Sequence, residues 1–238
     1  GRVTGFEALV RWQHPERGLL APSAFLDVAE EAGIVAQIGA FARAEAFRQW
    51  AQWRAGHPEW GEFLIGVNLA AAEVRDPSLP TRISAVLSET GVDPAFVVLE
   101  TSERVLGEDT EAAGRVLSGL RELGVMLALD DFGVGFSSLS HLRDLPIHRL
   151  KIDRSFTVEC MRDARTLTIV KAVIEMARSL GISVTAEGIE TQAQQTWMQH
   201  LGCDTAQGYL FARPMPADEF LKAFIDRRGL GRERSLMH

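Results

Sequence analysis

The segment 125–139 reads VMLALDDFGVGFSSL, in which an apolar run leads into two aspartates and then into glycines and serines. The apolar run predicts a buried strand, and the glycines predict a polar loop directly after it. Two adjacent carboxylates at the end of a buried strand repel each other and lose solvation, so they are costly unless a cation lies between them. Asp130 and Asp131 therefore predict a divalent metal site; a solvated turn or a helix N-cap is the alternative.

The composition limits the classes of partner. The chain has 238 residues, enough for one large α/β domain or two small ones. With 25 Lys and Arg against 32 Asp and Glu, its net charge of -7 argues against binding along a nucleic-acid backbone. Cys160 and Cys203 match no metal or redox spacing, so we expect two reduced, partly buried cysteines in a cytoplasmic protein.

The start of the chain indicates a piece of a longer protein, because it begins with Gly1 rather than Met and enters a strand almost at once. The longest apolar run, near 63–72, is too short to span a bilayer, and no signal peptide opens the sequence. Any membrane attachment of the full-length protein would therefore come from a part outside this fragment.

Short apolar strands alternate with amphipathic helices along the chain. Strands are predicted over residues 1–12, 63–69, 96–100, 125–131, 148–152, 182–187 and 204–211. A short helix is predicted from an N-cap at Ser23 to about 33, and a longer helix follows it to about 54. Further helices are predicted over 79–90, 110–123, 165–180, 191–201 and 217–226, and a polar helical segment after the DDFGVG strand and loop ends at about 144. The second helix should bury Ile38, Phe41, Trp50 and Trp53.

This alternation is typical of a largely parallel sheet covered by helices. Seven predicted strands favour a (β/α)8 barrel whose missing strand lies upstream of Gly1. An open doubly wound sheet is the alternative.

Polar residues stand at the carboxyl ends of the predicted strands. They are Asn68, Glu100, Asp130, Asp131, Lys151, Asp153, Glu187 and Gln207. Taken singly, each is more often a cap or a loop residue. Barrels build their active sites at this face, so the shared position predicts one site.

The donor types favour Mg²⁺ or Mn²⁺, because carboxylate and amide oxygens predominate and no HExxH spacing occurs for zinc. Two ions at such a site fit phosphodiester hydrolysis. Lys151 could hold the attacking water or offset charge on the phosphoryl oxygens. Arg11, four residues after Glu7, could clamp a phosphate or form a surface ion pair. No GxSxG motif supports a serine nucleophile, and Ser138 takes the third glycine position of a dinucleotide loop.

Seven motifs, in this order, cover the chain from residue 1 to about 224: GFEALVRW, GVNLA, LETSE, LALDDFGVGFSSL, LKIDRSF, TAEGIET and QGYLFARP. Together they resemble the EAL domain of bacterial cyclic di-GMP phosphodiesterases. The resemblance implies a modified TIM barrel with one antiparallel strand, here with its first strand truncated. It also implies hydrolysis of cyclic di-GMP to linear pGpG with Mg²⁺ or Mn²⁺, and a homodimer formed by the region after the DDFG loop. We expect an EAL-type domain over 1–226, a flexible tail over 227–238, and an upstream sensor or GGDEF domain.

The resemblance also implies a role for each site residue. One ion would be bound by Glu7, Asn68, Glu100 and Asp130, and the second by Asp130, Asp131 and Glu187. The implied catalytic residues are Glu187, Lys151 and Asp131, with Lys151 positioning the attacking water. Arg11 and Gln207 would contact the substrate and its water network, and Glu103 would brace the loop after Asp131. The motif leaves open whether Glu187 acts as a general base or mainly as a ligand.

Three positions depart from the family pattern. Val134 and Phe136 replace the usual threonine and tyrosine in the loop, and Ala70 replaces a common serine. None of them removes a metal ligand, so they bear on the loop and dimer coupling more than on the chemistry. The competing hypotheses are a catalytically silent receptor for the same dinucleotide and an unrelated metal-dependent barrel.

Overall fold

A seven-stranded parallel sheet forms the centre of the computed structural model, which describes residues 2–57, 63–103, 110–133 and 143–223. Its strands lie in the order β1 (Gly5–Ala8), β4 (Leu64–Leu69), β5 (Val97–Ser102), β6 (Met126–Phe132), β7 (Arg149–Ile152), β8 (Ser183–Ala186) and β9 (Thr205–Ala206). Every adjacent pair is parallel. Because the strand order never reverses, the barrel prediction is confirmed and the doubly wound alternative is wrong.

The sheet is curled, because residues from its two edges touch. Gln207 directly follows β9 at one edge, and its Nε2 donates to Glu7 Oε2 in β1 at the other edge over 2.8 Å. In a flat sheet these edges would lie six strand spacings apart, about 29 Å. The curl therefore brings the carboxyl ends of the strands to one mouth.

Nine helices are found among the described residues, apart from the two helical residues 143–144. They are α1 (Leu26–Glu31), α2 (Val35–Gly56), α3 (Ala71–Val74), α4 (Leu79–Thr90), α5 (Thr110–Glu122), α6 (Arg154–Glu159), α7 (Ala164–Ser179), α8 (Gln192–Leu201) and α9 (217–223). The prediction for α4 is confirmed at both ends, since Gly91 follows it with a φ of 69°. That left-handed conformation favours glycine, which ends a helix readily.

Several local predictions were wrong. Residues 13–22, for which no strand or helix was predicted, contain most of an antiparallel hairpin of β2 (Trp12–His14) and β3 (Gly18–Leu20). The antiparallel pairing that was expected beside the parallel strands is present in this two-stranded hairpin. β9 has two residues instead of the eight predicted over 204–211. Ser23 lies inside a 3-10 turn, and Phe25 precedes α1.

The core of the sheet and its helices includes an aromatic cluster at the amino-terminal strand. Trp50 and Trp53 of α2 are buried and contact Phe6 edge-on, and Phe220 stacks against Trp53. The core prediction is confirmed for these two tryptophans. It is wrong for Phe41, which is 63% exposed. Cys160 is buried, Cys203 is partly buried, and both are free thiols.

Other predictions concern parts outside the described residues. The tail 227–238 and most of the loop after Asp131, including Val134 and Phe136, lie there. The domain boundary at 226 therefore stays a prediction. Within the described ranges, no helix is both long enough and apolar enough to cross a membrane.

Candidate metal centre

Lys151 lies at the centre of four carboxylates in the mouth of the barrel. Its Nζ is 2.5 Å from Glu100 Oε2, 2.9 Å from Asp130 Oδ2, 2.9 Å from Glu187 Oε1 and 3.5 Å from Glu7 Oε2. The Lys151 side chain is only 3% exposed. The five residues come from five different strands or strand ends, so the parallel topology assembles the cluster.

Amide side chains complete the cluster beside Glu7. Asn68 Nδ2 donates to Glu7 Oε1 over 2.6 Å, and Gln207 Nε2 donates to Glu7 Oε2 over 2.8 Å. The structure therefore brings these two amides together with Glu7 and, through it, with Lys151.

Two overlapping groups of carboxylates could each hold a metal ion. Glu7, Glu100 and Asp130 form one group, and Asp130, Asp131 and Glu187 form the other, with the oxygens of each group within 4.8 Å of one another. Asp130 belongs to both. Neither group contains a histidine or a cysteine, and such an all-oxygen donor set fits hard divalent cations.

The backbone adopts a left-handed conformation at the second of the two aspartates. Asp131 has a φ of 53°, and its amide nitrogen donates to Asp130 Oδ1 over 2.8 Å. Aspartate tolerates the left-handed conformation better than most residues. This left-handed residue is a member of the second carboxylate group. Asp130 and Asp131 are thus not a helix N-cap, since strand β6 continues to Phe132.

Burial, together with the charges of the neighbouring groups, shifts the pKa values of the cluster. Burial raises the pKa of Glu100 to about 7, although Lys151 opposes the rise. Burial likewise raises the pKa of Glu187 to about 8, again against the pull of Lys151. For Lys151, burial alone would lower the pKa, but the four carboxylates outweigh it and hold the pKa well above its ordinary value. When all four carboxyl groups are ionised, the single ammonium leaves a net negative charge that further cations could neutralise.

The raised pKa values predict how the ion-free protein responds to pH. A carboxyl group whose pKa is higher in the folded state binds a proton on folding, so its stabilising contribution is lost as pH rises through the folded value. For Glu100 and Glu187 the window runs from their ordinary 4.5 to about 7 and about 8. We expect the Tm in EDTA to fall between about pH 5 and 8, and saturating Mn²⁺ to flatten that fall.

Thermal unfolding at a series of pH values, with EDTA or with Mn²⁺, checks this expectation. The matched control is Glu187→Gln, which removes one of the two titrating groups and should reduce the slope in EDTA. A Tm in EDTA that rises over the same window would contradict the expected sign.

Three other predicted site residues make contacts outside the group of carboxylates around Lys151. Glu103 is buried and accepts from the Gly133 amide over 3.1 Å, at the start of the loop after Asp131. The Arg11 guanidinium donates to the Val10 carbonyl over 2.9 Å, and no ion pair joins it to the described residues. Asp153 caps α6 by accepting from the Ser155 amide, so it lies outside the cluster.

Sequence reasoning missed a buried ion pair beneath the site. Arg43 of α2 and Glu73 of α3 contact each other and the backbone on either side of Leu69, at the end of β4. The only sequence signal is an arginine within the buried side of an amphipathic helix, and it does not identify the partner.

Comparison with known proteins identifies the family. A family model described as EAL domain matches residues 1–214. The bifunctional diguanylate cyclase/cyclic di-GMP phosphodiesterase MucR of Pseudomonas aeruginosa is 40% identical over 222 residues, which cover 93% of this chain and 32% of that protein. The cyclic di-GMP phosphodiesterase NbdA of the same species is 39% identical over 228 residues, 94% of this chain and 29% of that protein.

A solved structure is similar over nearly its whole length. It is described as PaMucR phosphodiesterase in a c-di-GMP complex, and it superimposes with a TM-score of 0.87 at 39% identity, covering 92% of this chain and 88% of that one. The chain spans about a third or less of the length of the two curated relatives. Because the family model matches 1–214 of 238 residues, the chain belongs to the EAL domain family.

Proposed function

We propose that this chain is a metal-dependent phosphodiesterase that hydrolyses cyclic di-GMP to linear pGpG. The observation that carries the proposal is the complete set of carboxylates around Lys151, in two groups that share Asp130. Support also comes from MucR and NbdA, whose names include cyclic di-GMP phosphodiesterase, and from the similar PaMucR structure with c-di-GMP.

The proposed cofactors are two Mg²⁺ or Mn²⁺ ions. Glu7, Asn68, Glu100 and Asp130 would hold one ion, and Asp130, Asp131 and Glu187 the other. When bound, such ions lower the pKa of a water and offset the charge that develops on phosphoryl oxygens. Asn68 would use its amide oxygen for this purpose, since its Nδ2 already donates to Glu7.

The chain's own residues would position the reactants. The buried ammonium of Lys151 holds the attacking water close to Asp130 and Glu187, both 2.9 Å from its Nζ. Gln207 orients Glu7 and the water beside it. Glu187 serves as a ligand or as the general base, and either role makes it essential. Arg11 contacts a substrate phosphate after releasing the Val10 carbonyl.

The loop and the partners complete the proposal. Glu103 braces the loop after Asp131 through the Gly133 amide. The functional unit is a homodimer in the cytoplasm, and a sensor or GGDEF domain precedes this domain in the full-length protein. Hydrolysis would lower the concentration of the bacterial second messenger.

Formation of linear pGpG from cyclic di-GMP and Mg²⁺, followed by chromatography, tests the function. We expect product from the native chain and a loss of at least about a thousandfold in rate for Glu7→Ala, because Glu7 contacts Asn68, Gln207 and Lys151. Glu16→Ala, a change at an exposed carboxylate, is the matched control and should keep the native rate.

The outcome separates the proposal from its rivals. A native chain that binds cyclic di-GMP without forming pGpG would instead be a receptor that signals by shape. A native chain that neither binds nor hydrolyses the dinucleotide would favour a metal-dependent barrel with another substrate.

A further inference from the structure

The strongest unassigned feature outside the carboxylate cluster is the ion pair between helices α2 and α3. Arg43 Nη1 lies 3.0 Å from Glu73 Oε2, and Arg43 Nη2 lies 2.5 Å from Glu73 Oε1, so the pair is bidentate. The side chains are only 3% and 1% exposed. A pair this deeply buried loses most of its hydration, and apolar residues of the same size often stabilise a fold equally well.

Both members of the pair also bind the backbone at the end of β4. Arg43 Nη1 donates to the Asn68 carbonyl over 3.3 Å, and Glu73 Oε2 accepts from the Ala70 amide over 3.2 Å. The pair thus holds the backbone on both sides of Leu69. Asn68 stands at this point, and its side chain donates to Glu7 over 2.6 Å.

A glycine in α2 makes room for the pair. A Cβ added at Gly39 would lie 2.6 Å from Glu73 Oε2 and 2.9 Å from Arg43 Nη1, too close for either atom to stay in place. Glycine inside a helix costs about 1 kcal/mol relative to alanine. The chain therefore combines a costly buried charge pair with a costly glycine next to it, which a purely stabilising role does not account for.

We propose that Arg43 and Glu73 are positioning residues that hold Asn68 in place against Glu7 and thereby set the affinity of the metal centre. The proposal rests on the metal centre proposed above. Arg43 in this way connects helix α2, which covers the sheet, to Asn68 in the mouth of the barrel. Loss of the bidentate contact lets the Asn68 backbone shift, and a shift of this kind weakens metal binding without removing any ligand.

A double-mutant cycle on Mn²⁺ affinity tests the proposal without relying on catalysis. Lysine keeps the charge of Arg43 but loses the planar fork that contacts both Glu73 and Asn68. We expect Arg43→Lys to weaken the binding of Mn²⁺ to the nucleotide-free chain about tenfold, measured by electron paramagnetic resonance of free Mn²⁺. In an Asn68→Ala background the same change should alter Mn²⁺ affinity less than twofold, because the side chain that Arg43 positions is absent.

A second variant covers the case in which Arg43→Lys does not fold. Arg43→Met combined with Glu73→Leu replaces the pair by apolar side chains, so we expect a Tm near the native value together with the tenfold loss of Mn²⁺ affinity. Arg115→Lys, in the exposed pair with Glu111, is the matched control and should leave the affinity unchanged.

The possible results are distinct. A folded variant with native Mn²⁺ affinity, or an equal loss with and without Asn68, would overturn the positioning role while leaving the proposed enzyme intact. A native chain that binds no Mn²⁺ would overturn the metal centre itself, and this proposal with it.

Discussion

Replacing Lys151 by methionine is expected to lower kcat for cyclic di-GMP by about 10²- to 10³-fold at saturating Mg²⁺, the usual effect of removing a preorganised charge from an active site. Methionine keeps an unbranched side chain as far as Cε but removes the ammonium that contacts Glu100, Asp130 and Glu187. The ligand set for metal remains complete, so the loss would report on Lys151 alone. A turnover assay for pGpG measures it.

The same variant should also be unstable without metal. The four carboxyl groups would then have no counter-charge and would either repel one another or take up protons, and breaking a buried ion pair from one side costs about 3 to 5 kcal/mol. We expect the free energy of unfolding in EDTA at pH 8 to fall by about that amount, and Mn²⁺ to restore most of it. Urea unfolding with and without Mn²⁺ checks this prediction.

Lys171→Met is the matched control, because Lys171 is exposed on α7 and makes no ion pair with the described residues. It should keep both activity and stability. If Lys151→Met retained a third or more of native turnover, the proposed role of Lys151 in holding the attacking water would be wrong. Unchanged stability in EDTA would mean that the carboxylates take up protons at little cost.

The residues at the barrel mouth could be predicted because they follow a simple rule. Short apolar strands in alternation with helices indicate a parallel sheet, and its carboxyl ends meet at one face. Asn68, Glu100, Lys151 and Glu187 each stand at such an end, and the structure brings them together. Asp153 also follows a predicted strand, and the same rule assigned it to the site. The structure instead places its carboxylate at the start of α6, which begins directly after Asp153 and is capped by it.

Features set by tertiary packing could not be predicted in this way. Arg43 and Glu73 are 30 positions apart on two helices, and nothing in the periodicity of either helix indicates that they meet. Phe41 lies among apolar residues of α2 yet is exposed, because only packing decides which side of the helix faces the sheet. β9 is short because Gly208, with a φ of 154°, brings the backbone against Ile189 directly after Gln207.

Replacing Asp130 or Asp131 by asparagine should separate the two proposed ions. Asp130 belongs to both carboxylate groups, whereas Asp131 belongs to one. We expect the native chain to bind two Mn²⁺, Asp131→Asn to keep one, and Asp130→Asn to lose both at concentrations that saturate the native chain. Asparagine tolerates the positive φ of Asp131, so neither change should disturb the backbone.

Isothermal titration with Mn²⁺ measures the number of ions, and the pGpG assay measures the consequence. Both variants should lose at least about a thousandfold in rate, because an ion at such a site contributes several kcal/mol to the transition state. Asp27→Asn, an exposed change at the start of α1, should bind two ions and keep the native rate. Equal stoichiometry in the two variants would contradict a shared ligand at Asp130.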